Sequence, residues 1–220
     1  MNHLTDALHI PDTQSERDER HLAIQRVGVK DVRWPLVLAV SGQIQHSVAQ
    51  WDLDVALPAE QKGTHMSRFV AWLDTLPAPL HTEALAEALG RMLERLGATE
   101  GRIEARFPFF VRKRAPVSGV QSLLDYQGRW IAERRGGTTV IWMEAAVPVK
   151  SLCPCSKEIS DYGAHNQRSL VTARVEPLAP LAWHELVRYA EEAASSEIWP
   201  LLKRPDEKWI TERAYENPKF

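Results

Sequence analysis

Residues 101–114 read GRIEARFPFFVRKR, and their reading decides the fold. Ile103, Ala105, Phe107, Phe109 and Val111 fall on one side of an extended chain, with Arg102, Glu104, Arg106 and Arg112 on the other. That period of two marks a strand with one buried face and one wet face. Such a strand belongs in an antiparallel sheet covered by helices on one side.

Working backwards, residues 81–96 carry Leu85, Leu89, Met92, Leu93 and Leu96 at helical spacing, with Thr82 placed as an N-cap and Gly97 as a C-cap. Residues 66–76 repeat the pattern through Phe69, Val70, Leu73 and Leu76 and are stopped by Pro77. Upstream of both, β-branched and apolar residues recur over 22–29 and 34–55, where Gln43, Gln45 and Ser47 alternate with Ile44, His46 and Val48. These predict two strands in a hairpin. Working forwards, a strand over 122–134 follows a turn around Pro116. The order is two strands, two helices, two strands, an α+β unit spanning 21–136.

After Gly136 and Gly137 the pattern begins again: strands over 138–149 and 169–175, a helix over 183–194 and a further helix that includes 212–220. The second unit, 137–220, therefore lacks its last two strands. A half-built sheet leaves edges unpaired, so the expectation is of a C-terminally shortened chain. Residues 1–20 are polar, contain Pro11 and show no apolar period, which predicts a mobile arm.

Lys and Arg number 27 against 29 Asp and Glu, so no global basic field draws the chain to nucleic acid or an anionic membrane. The N-terminus lacks the pattern of a signal peptide and no apolar run is long enough to span a bilayer, which predicts a cytoplasmic protein. The 2 cysteines, Cys153 and Cys155, are separated by one proline, a poor geometry for a disulfide, so thiols in chemical use are expected. The 8 tryptophans are expected to fill core and subunit interfaces.

Chemistry concentrates in SLCPCSKEISDYGAHNQRS, residues 151–169. Two thiols, an imidazole and cationic side chains lie there between two strands, where scaffolds present functional groups. Cys153 and His165 are two metal-ligand types on one loop, an incomplete set, and an open catalytic site with a third protein ligand suits so few cysteines better than a closed structural one. The run KRPDEK, with Asp206 and Glu207, is a source for that ligand. A cysteine is more often a small buried hydrophobe than a ligand, and that reading stays open on spacing alone. Lys157, Arg168, Lys203, Arg204 and Lys208 could grip a polyphosphate, although such runs are usually a solvated face.

The segment 151–169 closely resembles the signature of the type IB GTP cyclohydrolase I family, the bacterial and archaeal alternative to the type IA enzyme. KGTHMSRF at 62–69, and RPDEK with TERAYENPKF within 204–220, resemble that family's other motifs. The resemblance implies a tunnelling fold (T-fold) of tandem ββααββ units, associating through sheet edges into a homotetramer with active sites at subunit interfaces. It implies hydrolysis of GTP to 7,8-dihydroneopterin triphosphate and formate, the opening step of folate biosynthesis. It places Cys153, His165 and Glu207 as ligands of a divalent metal, zinc or else manganese or iron. Cys153 and His165 are then catalytic, Cys155 a neighbouring thiol, and His65, Lys157, Arg168 and Arg204 candidate substrate contacts. In the family an acidic residue that anchors the guanine edge follows NPKF, and a histidine-bearing motif comes later; neither occurs in these 220 residues. A nitrile reductase of the same fold and a non-catalytic assembly module are the alternative readings.

Overall fold

The computed structural model of the chain describes residues 17–161 and 166–219. Six strands, β1 (Ile24–Val40), β2 (Gln43–Leu57), β3 (Gly101–Arg114), β4 (Gln121–Arg135), β5 (Thr138–Leu152) and β6 (Asn166–Val175), form one sheet in sequence order. Every neighbouring pair is antiparallel. Helices α1 (Met66–Leu73) and α2 (Ala84–Leu96) connect β2 to β3, α3 (Pro154–Ile159) lies between β5 and β6, and α4 (Trp183–Glu192) and α5 (Arg204–Glu216) follow. The architecture is α+β, as expected. None of the described helices is long and apolar enough to cross a membrane.

The alternation in β3 is realised as read: Ile103, Ala105, Phe107 and Phe109 are buried. They meet the apolar faces of α2 and α4 in one core that also takes Trp51, Trp72, Trp130 and Trp183. Trp72 packs edge-on against Trp51 at 6.2 Å, and its indole N–H donates to the Ala88 carbonyl at 3.1 Å. Burying each such side chain contributes about 1.5–3 kcal/mol, which makes this layer the main source of stability.

Several boundaries differ from expectation for identifiable reasons. The first hairpin turns at Ser41 and Gly42, both at positive φ, as a two-residue hairpin turn requires, and not at the polar residues 30–33. That polar stretch stays in β1 as an irregularity, with register shifts on either side of Val29 and Asp31 at positive φ. Helix α1 stops at Leu73, before Pro77 is reached. Gly97 ends α2 in the left-handed conformation, as predicted, but Thr82 does not cap its start. The Thr82 hydroxyl accepts from the Trp130 indole at 3.1 Å and donates to the Met143 sulfur at 3.3 Å, so its hydrogen-bonding capacity is spent in the core.

Helix α5 takes in 212–216 of the expected helical segment 212–220 but ends at Glu216, and it begins back at Arg204 because Pro205 opens a helix as readily as it closes one. The segment 154–159, expected as loop, forms α3 with Pro154 in its first turn. Of the predicted arm, residues 1–16 lie outside the described residues, whereas Arg17 bridges to Gln61 and the Asp18 amide donates to the Glu60 carbonyl at 3.0 Å.

The sheet face away from the helices carries charge. Arg26 pairs with Asp54, Arg102 with Glu104, and Arg106 reaches Asp31 and Asp52 at 2.9 and 3.1 Å. Arg129 and Arg174 close on Glu144 at 2.6 and 2.7 Å. Burial works against the Glu144 charge, yet the two guanidinium groups hold its carboxyl below the usual range.

Candidate functional site

Strand β5 ends at Leu152, and the chain turns immediately into α3 with Cys153 at the N-cap position. Both thiols are free; Cys153 is partly buried and Cys155 exposed. Hydrogen bonding from the Ser156 side chain and amide, with a smaller contribution from Cys155, outweighs burial and lowers the Cys153 thiol's pKa. A thiol biased toward thiolate is the form that ligates a metal or acts as a nucleophile. Cys153 stands out in the sequence and Ser156 does not, because a six-residue helix inside the loop carries no periodic signal.

Helix α3 is pinned to the far end of α5. The Lys157 ammonium donates to the Tyr215 carbonyl at 3.1 Å and sits 5.0 Å from the centre of the Tyr215 ring. Lys157, an expected substrate contact, is thus engaged in holding two helices together, a role that sequence spacing gave no sign of.

Glu207 occupies the first turn of α5, half-exposed, with Arg204 2.9 Å from its carboxylate. With Lys208, Thr211 and Glu212 they line an open hollow along one side of the helix. Its neighbour Asp206 is fully buried and has a different task. Asp206 accepts from the Val117 amide at 2.9 Å, the Ser118 amide at 2.8 Å, the Ser118 hydroxyl at 2.6 Å and the Lys203 amide at 2.8 Å. Burial alone would raise its carboxyl, but these donors prevail and hold it far below the usual range. Of the two acids in KRPDEK, Asp206 anchors the helix and Glu207 is left to face outward.

His65 stands at the N-cap of α1 and lines a cavity of about 240 Å³ with Gln61, Thr64 and Arg68. Arg168 lies on β6 in register with Lys150 of β5. His165 lies outside the described residues. Among the described residues no three His, Cys, Asp or Glu side chains come together to enclose a metal ion. The donor types nevertheless fit one: a thiol drawn toward thiolate at Cys153 and an outward carboxylate at Glu207 are groups that zinc, iron or manganese accepts.

The fold and site define an α+β protein with a partly buried thiol, Cys153, where β5 turns into α3, and with α3 held against the C-terminal end of α5, whose first turn carries the exposed Glu207. A family profile described as type I GTP cyclohydrolase FolE2 matches residues 10–220. The GTP cyclohydrolase FolE2 of Methylibium petroleiphilum is 65% identical over 243 aligned residues, covering 96% of this chain and 82% of that protein. Those of Burkholderia multivorans and Paraburkholderia xenovorans are 59% and 58% identical over 221 residues, covering 100% of this chain and 82% of each relative. The chain belongs to the type I GTP cyclohydrolase FolE2 family.

Proposed function

We propose that this chain is a GTP cyclohydrolase I that hydrolyses GTP to 7,8-dihydroneopterin 3'-triphosphate and formate, supplying folate biosynthesis. The observation that carries the reading is family membership across residues 10–220, with Cys153 inside the matched span. Cys153, His165 and Glu207 would hold a divalent metal, zinc or alternatively manganese or iron. When bound, such a metal lowers the pKa of a coordinated water to about 7 and so supplies hydroxide at neutral pH.

The chain's own residues prepare that chemistry. Ser156 favours the charged form of the Cys153 sulfur. Arg204 sits 2.9 Å from the Glu207 carboxylate, one helical turn away on α5. Asp206 fixes the start of the helix on which Glu207 rides. Opening a purine ring, releasing formate and reclosing a pterin require protons to be moved several times, which suits an imidazole such as His165.

The tunnelling fold and a homotetramer belong to the same reading, supported by two sheet edges, β1 and β6, with exposed Ile24, Leu170 and Val171 near them. A cytoplasmic enzyme with reduced thiols fits both free cysteines. The test is formate release from GTP together with metal content by mass spectrometry. Cys153→Ala is expected to lose both the metal and more than about 100-fold in rate, beyond the loss typical of outer-shell changes. Undiminished formate release by this variant overturns the assignment.

A further inference from the structure

The charged face of the sheet is neutralised at one end and not at the other. Around Glu144, Arg129 and Arg174 share a carboxylate, and Glu104 serves Arg102, Arg106 and Arg129. Six residues further along β5, on the same face by strand alternation, stands Lys150, and directly opposite it on β6 stands Arg168. Like charges in register on adjacent strands repel, and a sheet pays for such a pair unless something between them is negative. Among the described residues neither cation forms an ion pair with a carboxylate.

Their setting is defined on both sides. Lys150 is partly buried, and its backbone pairs with that of Ser196 at 2.9 and 3.3 Å beyond the stretch where β4 pairs with β5. Burial, and then the charge of Arg168, lowers the Lys150 pKa, the direction expected of a cation held near another without a counterion. Three residues beyond Lys150 the chain reaches Cys153, so the two cations lie beside the thiol-bearing turn.

We propose that Lys150 and Arg168, in register across β5 and β6 beside the Cys153 turn, form an anion subsite that takes the phosphate groups of the nucleotide substrate. The assignment rests on the GTP reading above for the identity of the ligand. The cation pair itself is a feature of the sheet. Arg168 supplies a planar fork suited to two phosphate oxygens and Lys150 a compact charge, a combination matched to a polyphosphate.

Calorimetric titration of the metal-loaded full chain with inorganic tripolyphosphate at low ionic strength tests the subsite. The unaltered chain is expected to bind it saturably, and more weakly as salt is added. Lys150→Gln and Arg168→Gln should each weaken binding about tenfold or more, the usual consequence of removing a charge-assisted hydrogen bond. Lys150→Arg should retain binding, and Arg174→Gln, at the neutralised end, should leave it unchanged. Far-ultraviolet circular dichroism of each variant separates lost binding from lost folding.

With GTP the two variants should raise KM with little change in kcat, while guanosine binding is unaffected. No saturable binding by the unaltered chain overturns the subsite. So does equal binding by folded Lys150→Gln and Arg168→Gln, or an equal loss in Arg174→Gln. A chain that loses tripolyphosphate through these two substitutions but releases no formate from GTP keeps the subsite and refutes the activity. Formate release with KM unaltered in both variants does the reverse.

Discussion

The two halves of the sheet solve the same packing problem in different ways. Strands β1 to β4 are roofed by their own helices: α1 and α2 bury Phe69, Trp72, Leu73, Leu85, Leu89 and Met92, and the Trp72 indole is satisfied within the pair by Ala88. Strands β5 and β6 borrow. Trp183 of α4 places its ring 5.2, 5.1 and 5.3 Å from Phe107, Phe109 and Trp130, all residues of β3 and β4. The start of α5 is tied through Asp206 to the turn between those same two strands. The half that bears the thiols is therefore held in place by the half that bears none, and substitutions at the seam between them should reach the site.

Trp183→Ala should break the arrangement most severely. Removing a large aromatic ring from this cluster costs about 3–5 kcal/mol, and thermal unfolding should show a lowered midpoint with both halves affected. Asp206→Ala should come next, since it leaves three amide donors and a hydroxyl without their acceptor. Hydrogen exchange would then accelerate in α5 and leave α2 unaltered; equal acceleration in both helices would count against the seam.

The same carboxyl gives a pH signature. Its folded pKa lies below the ordinary value of 3.8, so its stabilisation is complete above that value and is lost as pH falls below it. An Asp206→Asn chain should show a shallower decline in stability with acid.

Gly97→Ala is confined to the first half. Forcing a Cβ into the left-handed conformation at φ 64 should cost about 1–2 kcal/mol and leave the metal content of the chain unchanged. Arg91→Ala removes an exposed partner of Glu87 one helical turn away and should change stability by no more than about 0.5 kcal/mol, which denaturant titration would resolve as no shift.

Where the sequence carried a period it was legible, and where a residue type has two uses it was not. The burial of β3, the apolar face of α2 and its end at Gly97 followed from spacing, because packing and conformation there act on one element at a time. Thr82 looked like a cap because threonine usually is one, but its hydroxyl serves Trp130, a residue 48 positions away. The polar stretch 30–33 looked like a turn, yet pairing with β2 carries the strand through it. At the site, Cys153 and Glu207 were visible as donors. The division of labour between Asp206 and Glu207 was not, since adjacent acids differ only in which faces the turn at 117–118. Lys150 escaped notice because a lysine on a strand signals solvent until its cross-strand neighbour proves to be Arg168.

The grip of Lys157 on Tyr215 links positions 58 residues apart. Lys157 lies one turn past Cys153, its amide donating to the Cys153 carbonyl at 3.2 Å, so any change in where α5 ends is transmitted to the turn that aims the sulfur. In a library randomised at both positions and selected for growth without the enzyme's product, residues 157 and 215 should therefore be inherited in matched pairs, and the reach of one side chain should set which lengths of α5 evolution can try.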